Sequence, residues 1–211
     1  MKVLHMPVAP YYTNSYIYYD ENTLEAAVID PGGSADKLMD TAKENGLTIK
    51  YILLTHGHFD HIAGANELKV LSGAQVIAFE DEDELLKSAD MNLSLIGMGK
   101  GVIINSDKLL KEGDFVDVGN GKLALIHTPG HTAGGVCYYD EENGILFSGD
   151  TLFKGTTGRY DLPTSDGAAL FASIKKKLFT LPDDVKVLPG HEASTTIGFE
   201  KANNRVAADG L

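Results

Sequence analysis

The sequence predicts a layered α/β domain of the α+β kind, a single domain over residues 1–211. Two observations carry this expectation. Short runs rich in Val, Ile, Leu and Tyr recur along the chain, with stretches of helical spacing between them, in two roughly similar halves. The chain, at 211 residues with 43% hydrophobic and 23% charged content, is also long enough to bury a sizeable core and ordinary for a soluble globular protein.

Taken in order, residues 2–8 and 15–19 read as strands, and so do residues 23–30, "TLEAAVID", which "PGG" closes. Residues 36–45 have helical spacing, and Gly46 suits their end. "IKYILL" reads as a buried strand, residues 63–71 as a helix after the loop that follows it, and "AQVIAF" as a short strand. "EDEDELLKS" reads as a helix start whose acids are solvated and favoured by the helix dipole. Residues 89–101, "ADMNLSLIGMGKG", read equally as core packing or as a flap over a pocket. "DFVDV", "KLALIHT", "GGVCYY" and "GILFSGD" follow as strands. Residues 166–178 then form a helix with a solvated basic end at Lys175 to Lys177, "VKVLPG" a final strand, and residues 195–204 a closing helix. No repeat, linker or low-complexity stretch interrupts them.

The formal charge of −12 argues against nonspecific binding to nucleic acid or anionic membranes, which depends on Lys and Arg neutralising phosphates. Cys137 is the single cysteine, so no internal disulfide forms. The amino terminus lacks an export pattern, and no apolar run reaches membrane-spanning length. The expected location is the cytoplasm and the expected partner a small molecule, with the oligomeric state left open.

Seven histidines are present, and three fall in "THGHFDH" at the end of an apolar strand: His56, His58 and His61, with Asp60 among them. His131 in "HTPGHTAGG" and His191 in "LPGHEAS" each follow a Pro-Gly turn, and Asp150 in "ILFSGDTLF" also ends an apolar strand. Ligand-type residues at strand ends, on loops held by a rigid sheet, are how such scaffolds build sites. In an extended loop His56 and His58 project to one side and Asp60 repeats the step, while His61 points elsewhere. The natural division is His56, His58 and His131 around one metal ion, Asp60, His61 and His191 around a second, and Asp150 between them. A donor set of nitrogen and oxygen without thiolate fits zinc foremost, and iron or manganese as well. Thr55 and Asp30 read equally as groups that orient imidazoles and as plain turn residues. His5 and His127 read as surface or hydrogen-bonded residues.

The pieces "VIDPGG", "LLTHGHFDHIAG", "HTPGHTAGG", "FSGDTLF" and "LPGH" together resemble the metallo-β-lactamase superfamily, in its order and over most of the chain. "GDTLFKGTTGRYDLP" is similar to its glyoxalase-II-like, or hydroxyacylglutathione-hydrolase-like, branch. The resemblance implies a four-layer αββα sandwich, with a dinuclear site at one edge of the paired sheets and the same division of the seven ligands. It also implies a hydrolase, a thioesterase acting on S-acyl (2-hydroxyacyl) conjugates of a low-molecular-weight thiol. A hydroxide bridging two metal ions would attack the thioester, with Asp60 and Asp150 as the catalytic carboxylates. Arg159 is expected to bind a substrate carboxylate, or else to pair with Asp161, and Tyr160 to wall the pocket. Arg159 stands where this branch carries Lys and Asp161 where it carries Tyr, which leaves the thiol open. The rivals are a lactonase or β-lactamase-like hydrolase and, from another class, an iron-dependent persulfide dioxygenase.

Overall fold

The computed structural model describes residues 1–207. Strands β1 (Lys2–Val8), β2 (Thr13–Tyr19), β3 (Glu25–Ile29), β4 (Thr48–Leu53), β5 (Gln75–Phe79) and β6 (Lys108–Leu110) pair in that order into one sheet. The first three are antiparallel neighbours, and β3 to β6 run parallel. Helices α1 (Ala35–Glu44), α2 (Phe59–Ile62) and α3 (Ala65–Ser72) occupy the connections of the parallel part. The other sheet takes β7 (Phe115–Val118), β8 (Gly121–His127), β9 (Val136–Asp140), β10 (Ile145–Gly149), β13 (Lys186–Pro189) and β14 (Thr195–Thr196), in the order β14-β13-β10-β9-β8-β7. A small ribbon of β11 (Leu152–Phe153) and β12 (Thr156–Thr157) follows β10. Short helices α4 (Asp83–Leu86) and α5 (Ser94–Met98) precede β6, and α6 (Gly167–Lys176) and α7 (Ile197–Asn203) accompany the second sheet.

Period-two alternation sorts the apolar side chains into three layers. Ala26, Val28 and Ile52 point to the helical side, with Leu38 of α1 and Leu68 of α3. Ala27, Ile29 and Leu53 point the other way and meet Val136, Tyr138, Phe147 and Leu188 of the second sheet. Cys137, Leu146 and Val187 point outward again, onto Leu170 and Ile174 of α6 and Ile197 of α7. Three apolar layers between four structural ones make the αββα sandwich. Because each central strand is buried on both faces, it reads in the sequence as a continuous apolar run. The Asp166 side chain caps α6 by accepting the Ala169 N–H at 3.0 Å, a contact that contributes about 1 kcal/mol. No helix among the described residues is long and apolar enough to cross a membrane.

Several elements differ from expectation. The acidic run 80–88 forms a 3-10 turn, Glu80–Glu82, and the four-residue α4, and Glu82 is buried, where the sequence suggested a solvated helix start. Residues 195–204 begin as a strand, because Thr195 pairs with Val187, and turn helical only after Thr196 caps α7 on the Phe199 N–H. Lys177 is held by the Glu112 carboxylate and the His127 carbonyl, so the basic end of α6 is partly engaged. β6, β14, the β11–β12 ribbon, α2 and α5 are too short to leave a periodic signal.

Candidate metal centre

The strands that carry ligand-type residues all run the same way within their sheets. β3 and β4 are parallel. In the other sheet β8 and β10 are both antiparallel to β9, and β13 is parallel to β10. Their carboxyl ends deliver Asp30, residues 56–61, His131, Asp150 and His191 to one edge of the sandwich.

His56, His58 and His131, all buried, offer ligand atoms that lie within 4.8 Å of one another, and so do Asp60, His61 and His191. His58 Nδ1 is 2.9 Å from His131 Nε2. His191 Nε2 is 3.1 Å from Asp60 Oδ2 and 3.3 Å from His61 Nε2. Asp150 lies between the two sets: Oδ1 is 3.3 Å from His61 Nε2, and Oδ2 is 3.7 Å from His131 Nε2 and 3.8 Å from His191 Nε2. Asp60 reaches its set by a route other than the expected one. Residues 59–62 are the helical turn α2, so the two-residue step of an extended loop ends at His58. Asp60 and His61 nevertheless both converge on His191.

Three of the rings are held by the protein at the far nitrogen. His61 Nδ1 bonds Asp30 Oδ2 at 2.9 Å, and the same carboxylate accepts the Thr55 N–H at 2.8 Å and the Thr55 hydroxyl at 2.6 Å. Thr55 Oγ1 is 3.1 Å from His56 Nδ1. His131 Nδ1 donates to the Arg159 carbonyl at 2.8 Å. Asp30, His56 and His61 form a third close grouping, but the Asp30 oxygens are already occupied by these donors. Asp30 therefore orients imidazoles, the arrangement that fixes a ligand's tautomer. Gly190 permits the close approach: a Cβ there would overlap Asp150 Oδ1 and His61 Cε1.

The electrostatics suit cations. Burial, with neighbouring histidines, holds the His56 imidazole well below its usual range and brings His58 to about 3, so both are neutral and free to ligate. Burial would raise Asp60 and Asp150, but His61 and other nearby histidines outweigh it and hold both carboxyls low. For His61, burial is overcome by Asp150, Asp60 and Asp30, and the ring is pushed well above its usual value. The carboxylates thus draw positive charge to the place where a metal ion would supply it. Two buried atoms at the ligand sets, His56 Nε2 and Asp150 Oδ1, have no hydrogen-bond partner. Each such group costs about 1–3 kcal/mol, and coordination by divalent cations accounts for them. The residues therefore fit a pair of such ions.

Above the ligands opens a cavity of about 370 Å³, lined by the ligands' exposed edges and by Phe59, Leu93, Phe153, Leu162 and Arg159. A larger hollow, about 530 Å³, lies among Phe115, Lys122, Tyr139 and Asp140 and contains none of the clustered histidines. Residues 89–101 combine the two roles open from the sequence. Asn92 and Ser94 are buried, Asn92 bonds Val102 and receives the Phe59 N–H, and Leu93 walls the cavity.

Arg159 borders the cavity, but its guanidinium is held by both Asp161 oxygens, at 2.7 and 2.9 Å. Tyr160 is not among the residues that line the cavity. Its ring packs on Phe171 and over Gly167. His5 and His127 bond Asn14 and the Ala133 carbonyl, outside both ligand sets. Since only the Arg159 main chain touches a ligand, Arg159→Ala is expected to retain the metal affinity of wild type. Its kcat/KM for an uncharged thioester should change by less than about threefold, as befits an exposed ion pair. A tenfold loss in steady-state assays would assign the side chain a larger part.

Sequence reasoning missed the start of β2. The Thr13 hydroxyl donates to the Asp60 carbonyl at 2.8 Å, Asn14 Nδ2 to the carbonyls of Pro189 at 3.0 Å and Glu192 at 2.9 Å, and the Ser15 hydroxyl to the Asp30 carbonyl. The signal was present: three consecutive polar residues open an otherwise apolar buried strand.

The comparisons with known proteins agree with this architecture. The sequence profile of the metallo-beta-lactamase superfamily matches residues 8–191. The chain is 34% identical over 206 residues to hydroxyacylglutathione hydrolase GloC of Haemophilus influenzae, covering 97% of each. Among solved structures, the B3 metallo-beta-lactamase BLEG-1 superposes with a TM-score of 0.91 at 36% identity, covering 97% of this chain and 98% of that one. TTHA1623 in a di-iron-bound form gives 0.85 at 35%, covering 96% and 98%. With its profile matched over residues 8–191 and its fold shared with BLEG-1, the chain belongs to the metallo-beta-lactamase superfamily.

Proposed function

We propose that this metallo-hydrolase is a thioesterase that cleaves S-acyl conjugates of a low-molecular-weight thiol at a two-cation site. The observation that carries the reading is Asp150, whose carboxylate faces a ligand set on either side and leaves one buried oxygen without a partner. His56, His58 and His131 would hold one ion, Asp60, His61 and His191 the other, and Asp150 both. Bound there, the cations supply Lewis acidity that brings a water towards ionisation at neutral pH and polarises the carbonyl under attack.

The chain's own residues do the rest. Asp60, ionised and partly exposed to the cavity, accepts a hydrogen bond from the attacking water and orients it. Phe59, Leu93, Phe153 and Leu162 enclose the acyl group and exclude bulk water. A thiolate leaving group needs no protonated acid, since its conjugate acid has a pKa of about 8.5. The GloC relative supports a hydroxyacyl thioester as substrate. BLEG-1 supports a β-lactam as the second reading, and the di-iron form of TTHA1623 leaves iron beside zinc as the native metal.

The test is a substrate panel of thioesters, lactones and β-lactams, assayed before and after treatment with a strong chelator. Thioester turnover is expected to exceed the others, to fall at least about a hundredfold on chelation, and to return when zinc, iron or manganese is restored. Metal removal should also lower Tm, because a ligand at a hundred times its Kd stabilises by about 2.7 kcal/mol. Full turnover by chelated protein would refute the metal-dependent reading, and a β-lactam preference would replace the thioesterase one.

A further inference from the structure

Glu82 has no part in the chemistry above, yet it is 1% exposed. It ends the 3-10 turn that follows β5, and its two oxygens reach two different loops. Oε1 accepts the Gly57 N–H at 2.7 Å, between His56 and His58. Oε2 accepts the Gly134 N–H at 2.9 Å, three residues beyond His131. These loops leave β4 in one sheet and β8 in the other. The strand ends already meet through the Val136 N–H and the Thr55 carbonyl at 2.9 Å, and Glu82 extends that tie to the ligand-bearing turns. The fit leaves no slack: a Cβ at Gly134 would overlap Glu82 itself, and one at Gly57 would overlap Leu85 of α4. Burial pushes the Glu82 carboxyl up to about 7, against the pull of the Gly57 and Gly134 N–H groups and the Thr132 side chain.

The opposite ligand set is braced separately. Thr13 holds the Asp60 carbonyl, Asn14 holds the Pro189 and Glu192 carbonyls on either side of His191, and Asp30 holds His61. We infer that Glu82 is a positioning residue that fixes His56 and His58 on one loop against His131 on the other. It thereby sets the cation affinity of the three-imidazole position alone. This rests on the two-cation reading of the site. Supporting partners of metal ligands are worth about 10–100-fold in affinity. Glu82→Gln keeps the shape and one acceptor but turns an amide NH₂ onto one of the two N–H donors. Glu82→Asp is one methylene short of spanning both loops.

The experiment titrates wild type, E82Q and E82D with zinc against a chromophoric chelator. Tm and the amide hydrogen exchange of Gly57 and Gly134 are measured on the metal-free proteins. One zinc equivalent is expected to weaken about 10–100-fold in both variants, with the other changed less than about threefold. Gly57 and Gly134 should exchange faster. If both equivalents weaken together in step with Tm, Glu82 is merely structural, and if neither weakens, it positions nothing; either result overturns the inference. Wild-type protein that takes up no zinc gives a different result, since it sinks the two-cation reading and this role with it.

Discussion

Asp150→Ala is expected to lower kcat/KM for thioester hydrolysis by at least about a thousandfold, or about 4 kcal/mol of transition-state stabilisation, and to reduce bound metal from two equivalents towards one. The carboxylate is the group that approaches both ligand sets, within 3.3 Å of His61 on one side and 3.7 Å of His131 on the other. Removing it deletes an anion from the middle of the site and leaves His131, His61 and His191 facing one another across the gap. Asp150→Asn separates charge from shape, because the amide keeps the volume and one oxygen but loses the negative charge. It should retain some metal and recover little activity. The checks are metal content by elemental analysis and steady-state kinetics on the same preparation. Two bound ions and wild-type turnover in Asp150→Ala would remove the central member of the proposed site.

The second large effect is expected at Asp30, through folding. Its carboxylate accepts from the Thr55 N–H, the Thr55 hydroxyl and His61 Nδ1, all buried. In Asp30→Ala these groups lose their partner without gaining water, at a cost of about 3–5 kcal/mol. For a chain of this size that is a fall in Tm of roughly 6–20 °C, read by calorimetry on metal-free protein. The freed His61 ring should also bind its ion about 10–100-fold more weakly. Asp30→Asn should restore part of the stability, because its amide oxygen still accepts from Thr55. A Tm within two degrees of wild type in Asp30→Ala would show that the Thr55 and His61 groups find other partners.

Much of the site's chemistry was readable residue by residue. "THGHFDH", the two Pro-Gly-His turns and "SGD" each end an apolar run, and a strand end followed by a ligand-type side chain is a local pattern. Two side chains owe their place to partners that no local rule selects. For Arg159 the sequence left a substrate contact and a pair with Asp161 both open; Asp161 holds the guanidinium, and the Arg159 carbonyl orients His131. Glu82 sits in a run of acids that any local rule assigns to water, and only its reach to Gly57 and Gly134 takes it out of solvent.

By itself the sequence determined the succession of apolar strands and intervening helices, a layered α/β class, and the identity of the imidazoles and carboxylates. These follow from side-chain type and short-range period, which every segment carries within itself. Only the tertiary structure decided which of those groups meet, which nitrogen of each ring is left free, and that Asp150 lies between the two sets. Those facts are distances between positions as far apart as Asp60 and His191, 131 residues along the chain. They are set by how two sheets pack face to face, which no local pattern records.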